Sequence, residues 1–92
     1  MSDPNIDLYV KPGCPWCVAV IAWLDQKGYR YREYDVIEDD ARFEEMVQIT
    51  GQNFAPSMRL HMEGMVDKIL SDFGVEELEI FLETCGLEPD QN

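Results

Sequence analysis

Basic residues are scarce in this sequence. Lys and Arg together number 7 against 19 Asp and Glu, which gives a formal net charge of −12. A domain that binds nucleic acid needs a basic surface to meet the phosphates, and a domain that binds an anionic membrane needs one as well. The charge therefore excludes both as main partners, and we expect no nucleic acid and no membrane to bind.

Long apolar runs are also missing. No stretch approaches the roughly 18 residues that a membrane-spanning helix requires, and residues 1–5 lack the basic start and apolar stretch of a secretory signal peptide. We therefore expect a cytoplasmic protein. The 92 residues, 46% of them apolar, suffice for one packed domain. We expect a monomer with a single domain over residues 1–92, a core at about residues 6–86, and dispensable ends at residues 1–5 and 88–92.

Cysteine is rare too, and its three copies are too few and odd in number for a disulfide scaffold. Cys14 and Cys17 form a Cys-x-x-Cys pair, which in a reducing compartment indicates redox chemistry or metal binding. Structural zinc needs four ligands, and only His61, in a predicted strand, and Cys85, at an apolar helix position, remain as soft candidates. We predict no metal site and assign His61 and Cys85 to the scaffold. The prolines and glycine around the pair predict an exposed turn, which disfavours a purely structural role.

Hydrophobic periodicity and Pro and Gly punctuation predict an α/β domain with the element order β-α-β-α-β-β-α. A strand, helix and strand at this spacing form a crossover between two parallel strands. A turn at Glu63-Gly64 joins the last two strands as a hairpin. The strands are predicted over residues 6–10, 30–36, 57–62 and 65–70.

Three helices follow from capping signals. The first is predicted to begin after Cys14, with Pro15 at its first position, and to end at Gly28. Its apolar run at residues 18–24 predicts that much of this helix is buried. The second is predicted from residues 38–40 to Gly51, and the third from the loop at residues 71–74 to Gly86.

The position of Cys14 at a helix start favours a thiolate. Unpaired N–H groups and the positive end of the helix dipole converge there, and Lys11 adds a nearby cation. Such surroundings lower a thiol pKa and make the sulfur nucleophilic at neutral pH. Cys17 lies one turn later on the same face, where it can attack a mixed disulfide formed at Cys14. Trp16, between them, is predicted to contact the partner.

The acidic residues are unevenly placed, since 16 of the 19 fall within residues 33–92. The segment that carries the two cysteines is locally basic by comparison. This distribution suggests a substrate with a basic surface, steered by the acidic remainder of the chain.

The stretch from Leu8 to Cys17, LYVKPGCPWC, resembles the dithiol active-site segment of the glutaredoxins. The resemblance extends from residue 6 to about residue 86. It implies a thioredoxin fold, with a small four-stranded mixed sheet flanked by helices. It also implies a glutathione-dependent thiol-disulfide oxidoreductase for protein disulfides or glutathione mixed disulfides, acting in electron transport and cell redox homeostasis. Glutathione would be the co-substrate, and no cofactor would be bound.

The same resemblance implies which residues meet glutathione. The lysine and the residue between the cysteines belong to the active-site segment, and the glutamine at the end of the second helix holds the glycine carboxylate. Ala55 and Pro56, before the third strand, match a family segment that contains a cis proline. In that segment the residue before the proline pairs its backbone with that of the incoming cysteine. The start of the last helix takes the γ-glutamyl end. In this sequence the implied residues are Lys11, Trp16, Gln48, Ala55, Pro56, Gly74, Val75 and Glu76.

Two alternatives remain open. Phe54 stands where the family usually has Thr, and Phe73 stands where it usually has Gly and is expected to reshape that side of the groove. These departures favour an electron donor that is reduced by thioredoxin reductase instead of glutathione. The other alternative is a carrier that holds an iron–sulfur cluster between two copies through Cys14 and glutathione, although Pro15 disfavours it.

Overall fold

The computed structural model describes residues 4–89, where the chain forms a mixed sheet flanked by three helices. The elements are β1 (Ile6–Val10), α1 (Pro15–Lys27), β2 (Arg32–Asp35), α2 (Asp40–Thr50), β3 (Ser57–Leu60), β4 (Lys68–Ser71) and α3 (Val75–Cys85). This is the predicted element order along the chain. The strands lie in the sheet in the order β2-β1-β3-β4, with β1 parallel to β2 and antiparallel to β3, and with β3 antiparallel to β4, which is the thioredoxin fold. Of the predicted dispensable ends, residues 1–3 and 90–92 lie outside the described residues.

The central strand β1 divides the interior into two parts. All five of its residues are buried, and period-2 alternation sends successive side chains to opposite faces of the sheet. One set packs in the larger core with α1 and α3, whereas Tyr9 packs in a smaller cluster with Val36 and Met46. The buried members of the larger core are Ile6, Leu8, Val10, Cys17, Val20, Leu24, Met58, Leu60, Phe73, Leu78 and Leu82.

The face of the sheet that α2 covers contains buried polar side chains. Asp7, the second residue of β1, is only 7% exposed. Its carboxylate lies 2.7 Å from His61 Nε2 and 3.5 Å from Arg59 Nη2. The Tyr9 hydroxyl donates to Glu45 Oε1 on α2 at 2.7 Å. A buried charge needs such partners, because its transfer out of water is costly when they are missing.

The helix boundaries agree with the capping signals. Pro15 occupies the first turn of α1, and Gly28 ends the helix in the left-handed conformation at φ 85°, which a glycine adopts without steric cost. The Asp39 side chain caps α2 by accepting from the N–H groups of Ala41 and Arg42. These contacts confirm the predicted starts and ends within a residue or two.

The last three strands are shorter than predicted, and β4 begins later. The predicted turn forms, since the Met65 N–H donates to the Met62 carbonyl at 3.1 Å. The chain does not resume a strand at residue 65, because His61 Nδ1 pairs with Asp67 Oδ2 at 3.1 Å across the loop. Met65 and Val66 are therefore exposed rather than packed. The loop spans residues 61–67, and β4 starts at Lys68.

The apolar run of α1 is less buried than predicted. Only Cys17, Val20 and Leu24 are buried in this helix, and Val18 is 60% exposed. The sheet and α3 cover one stripe of α1, and the remaining positions turn outward because the helical period distributes a continuous run around the axis. No helix of residues 4–89 is long and apolar enough to cross a membrane.

Candidate active site

Cys14 lies at the junction between the end of β1 and the start of α1. Its backbone is extended, with φ −79° and ψ 117°, and its carbonyl accepts the first helical hydrogen bond from Val18 N at 3.0 Å. The Cys14 N–H donates to the Lys11 carbonyl at 3.3 Å, which closes the turn before the helix. Cys14 is partly accessible, whereas Cys17 in the first turn of α1 is 1% exposed.

The surroundings of Cys14 favour its thiolate. Burial is the largest influence and acts to raise the pKa of the Cys14 thiol. Hydrogen bonds from the backbone N–H and the thiol of Cys17 and from the Trp16 N–H outweigh it. The charge of Lys11 acts in the same direction, and together these influences lower the pKa of Cys14 below its ordinary value. The predicted nucleophile therefore has an environment suited to that role.

The surroundings of Cys17 have the opposite effect. Burial is the largest cause that raises the pKa of the Cys17 thiol, to about 11. Its hydrogen bond to the Cys14 sulfur and the negative charge there raise the pKa further. A Lys11 backbone hydrogen bond and the Lys11 charge lower it only in part. The pKa of the second thiol is thus raised while that of the first is lowered.

The segment before β3 lies beside this pair. The Ala55–Pro56 peptide bond is cis, as the resemblance implies. Lys11 Nζ donates to the Asn53 carbonyl at 3.5 Å, and the Asp72 N–H donates to the Pro56 carbonyl at 3.0 Å. The loops that precede α1, β3 and α3 are therefore connected at one end of the sheet.

A cleft of about 580 Å³ opens beside Trp16, between α1 and the start of α3. It is lined by Trp16, Ala19 and residues 72–77. The Trp16 ring lies against Gly74, where an added methyl group would stand only 3.3 Å from the ring carbons. The Gly74 N–H donates to Glu77 Oε1 at 2.9 Å. The structure thus brings Trp16 together with the predicted segment from Gly74 to Glu76.

The two phenylalanines differ in their placement. Phe73 is 4% exposed and belongs to the larger core, although it also forms part of the cleft wall. Its side chain therefore packs in the core and also contributes to one wall of the cleft, and its effect on a bound ligand stays a prediction. Phe54 is 54% exposed beside the cis proline.

Some predicted residues stand apart from the cleft. Gln48 is exposed in the last turn of α2, and its role toward glutathione stays a prediction. Cys85 is half-buried and packs against the larger core.

The sequence did not predict Asp72 as a site residue, although it lines the cleft with a left-handed backbone at φ 53°. An Asp beside a Gly in a loop is a weak signal for this conformation. Among residues 4–89 no group of three or more His, Cys, Asp or Glu is placed to hold a metal ion.

Comparison with known proteins gives consistent results. A sequence profile described as Glutaredoxin matches residues 6–59. Glutaredoxin 3 of Escherichia coli (strain K12) is 32% identical over 54 residues, which are 59% of this chain and 65% of that protein. The matched segment therefore spans just under two thirds of that relative.

Two solved structures extend the comparison. The thioredoxin-like protein BC3987 superposes with a TM-score of 0.70 at 27% identity, covering 84% of this chain and 99% of that one. The buckwheat glutaredoxin–glutathione complex superposes with a TM-score of 0.53 at 28% identity, covering 60% of this chain and 53% of that one. The profile match covers more than half of the chain and includes both Cys14 and Cys17. The chain belongs to the glutaredoxin family.

Proposed function

We propose that this protein is a thiol-disulfide oxidoreductase that reduces protein disulfides or glutathione mixed disulfides. The observation that carries the proposal is the opposite displacement of two neighbouring thiol pKa values, lowered at Cys14 and raised to about 11 at Cys17. A nucleophile must be ionised before it attacks, whereas a resolving thiol must stay protonated until its turn. Glutaredoxins as a family carry out this chemistry, and a monomer in a reducing cytoplasm suits it.

In the first step the Cys14 thiolate attacks one sulfur of the substrate disulfide. A bond forms between Cys14 and that sulfur, the substrate disulfide breaks, and the other substrate sulfur leaves as a thiolate that takes up a proton. The N–H groups at the start of α1 stabilise the Cys14 thiolate and keep its sulfur at the N-terminal end of this helix. The product of this step is a mixed disulfide.

In the second step Cys17 resolves the mixed disulfide. The Cys14 sulfur has become neutral, so the charge that raises the pKa of Cys17, and the hydrogen bond to a thiolate, are removed. The pKa of Cys17 therefore falls when its attack is required. Cys17 gives up its proton to solvent, and its thiolate attacks the Cys14 sulfur. The Cys14–Cys17 disulfide forms, the mixed disulfide breaks, and the second substrate sulfur leaves as a thiolate that takes up a proton. Two electrons have then passed from the protein to the substrate.

Glutathione is the proposed reductant of the resulting disulfide, with two molecules consumed for each cycle. The neighbouring buckwheat structure is a glutathione complex, and the cleft of this chain offers matching groups. The Val75 N–H at the start of α3 suits the γ-glutamyl carboxylate, and Glu76 suits the amino group. The backbone of Ala55 is proposed to pair with the glutathione cysteine beside the cis proline. Lys11 and Gln48 are proposed for the glycine carboxylate.

Reduction by thioredoxin reductase is the second candidate. Phe54, which is 54% exposed beside the cis proline, is the departure from the family pattern that favours it. Supplying the oxidised protein with NADPH and either glutathione plus glutathione reductase or thioredoxin reductase separates the two. Turnover with the second system alone would favour this candidate.

The proposal is tested by glutathione-coupled reduction of a glutathione mixed disulfide and of a protein disulfide. We expect Cys14→Ser to abolish both activities. Cys17→Ser should keep reduction of the mixed disulfide, since glutathione can release the intermediate, and should lose most reduction of the protein disulfide. Cys85→Ser is the matched control, because it also replaces one thiol by a hydroxyl. Full activity in Cys14→Ser would overturn the proposal.

A further inference from the structure

The charged residues that line the cleft beside Trp16 are acidic. Among residues 4–89, three that line it are acidic, Asp72, Glu76 and Glu77, and none that lines it is Lys, Arg or His. Glu77 accepts the Gly74 N–H at 2.9 Å and is committed to the start of α3. The two other acids, Asp72 and Glu76, are exposed at the wall of the cleft. A cationic group that enters the cleft therefore meets carboxylates and no competing cation in its lining.

An aromatic surface completes this wall. Trp16 is 64% exposed, and its ring rests on Gly74, where the missing side chain allows a close approach. The face of an indole attracts ammonium and guanidinium groups, and Trp does so better than the other aromatic residues. The combination of an exposed indole with carboxylates suits the long side chain of Lys or Arg, whose methylene stem packs on the ring while its charge faces the acids.

The acidic wall is connected to the reacting centre. The Asp72 N–H donates to the Pro56 carbonyl at 3.0 Å, which ties the wall to the segment beside Cys14. Trp16 follows Cys14 by two residues in the first turn of α1. Because Trp16 both lines the cleft and lies between the two cysteines in the chain, the cleft adjoins the active-site segment.

We infer that the cleft selects protein disulfides that carry Lys or Arg beside the reacting cysteine. The inference rests on the proposed function and adds the substrate class. The occupant is an extended protein segment, and its reaction is the one described above, in which the protein dithiol becomes a disulfide and the substrate disulfide becomes two thiols. The basic side chain takes no part in the electron transfer and acts by raising the local concentration of the correct disulfide.

The experiment uses three peptides with one disulfide each, identical except for Lys, Gln or Glu beside the cysteine. Fully reduced protein is mixed with each peptide without glutathione, and the released peptide thiol is followed through a single turnover. Glutathione is left out so that its own binding does not enter the rate. We expect the Lys peptide to react about fivefold faster than the Glu peptide at low salt, as exposed ion pairs allow. The preference should shrink at high salt.

Variants separate the cleft from the overall charge. Asp72→Asn and Glu76→Gln should each reduce the preference for Lys over Glu by about twofold. Glu44→Gln is the matched control, because it also removes one acid but lies exposed on α2, across the sheet from α1 and α3. It should leave the preference as in the wild type. Circular dichroism confirms that each variant is folded.

The outcomes are distinct. Equal rates for the three peptides would overturn the inference, and a neutral small disulfide such as hydroxyethyl disulfide, if still reduced, shows that the proposed function stands. An equal loss of preference in the Glu44→Gln control would also overturn it, because the whole-molecule charge would then explain the selectivity. If neither the peptides nor the small disulfide are reduced, the proposed function itself fails.

Discussion

The pKa of Cys17 is expected to fall when the negative charge on Cys14 is removed. Burial is the largest cause of the raised pKa of about 11, and the Cys14 thiolate adds to it through a hydrogen bond and its charge. At pH 7 a thiol with that pKa is ionised in roughly one molecule in ten thousand. Cys14→Ser removes the charge and keeps the burial, so the pKa of Cys17 should fall and stay above the ordinary value of 9.0. Complete removal of the pKa shift would raise the ionised fraction of Cys17 about a hundredfold. Cys14→Ser removes only part of that shift, so we expect a rise of roughly tenfold.

The measurement is an NMR titration of the ¹³Cβ signals of selectively labelled cysteine. Cys85→Ser is the matched control, since it replaces a thiol by a hydroxyl and leaves Cys14 in place. An unchanged Cys17 midpoint in Cys14→Ser would refute the coupling between the two sulfurs. The mechanism proposed for the second step would then lose its physical basis.

Three further substitutions test named contacts. Lys11→Met should raise the pKa of Cys14, whose lowering includes the Lys11 charge, so alkylation of Cys14 near pH 6 should slow; an unchanged rate would contradict this. Hydrogen bonds to Asp7, the larger cause, and to Asp67 raise the pKa of His61. The stabilisation that protonated His61 gives the fold is therefore present below about pH 6.5 and is lost as the pH rises through the folded-state pKa. His61→Asn should therefore lower the urea midpoint more at about pH 5.5 than at about pH 9, and an equal loss at both would exclude the linkage. Gly74→Ala should displace the Trp16 ring, because the added methyl would stand 3.3 Å from it, and a Trp16 emission spectrum unchanged against a Trp23→Phe background would argue against this contact.

The sequence predicts the nucleophilic end of the molecule well because its signals are local. The Pro and Gly that follow β1, Pro15 at the first helical position and the left-handed Gly28 each act within a few residues. The placement of Cys14 at the start of α1 follows from these signals alone. Cys17 follows from the helical repeat, since three residues bring it to the same face.

Features that depend on distant partners are predicted poorly. The start of β4 is delayed because His61 and Asp67 pair across the loop, a contact that no periodicity reveals. Val18 is exposed because neither the sheet nor α3 covers its side of α1. Asp72 enters the cleft wall through a hydrogen bond to Pro56, sixteen residues earlier in the chain. Each of these outcomes requires the tertiary structure, which overrides local preference.

The complete burial of β1 affects which parts of the domain open locally. This strand pairs on both sides and contributes to both apolar clusters, so its amide hydrogens exchange only when nearly the whole domain opens. The edge strands β2 and β4 have one paired side each and can detach at lower free energy. Cys14 follows β1 after a short turn, so the nucleophile is anchored to the slowest-opening part of the chain. Transient detachment of an edge strand therefore leaves the spacing of the two sulfurs intact, and the redox centre is protected from the fluctuations of its own scaffold.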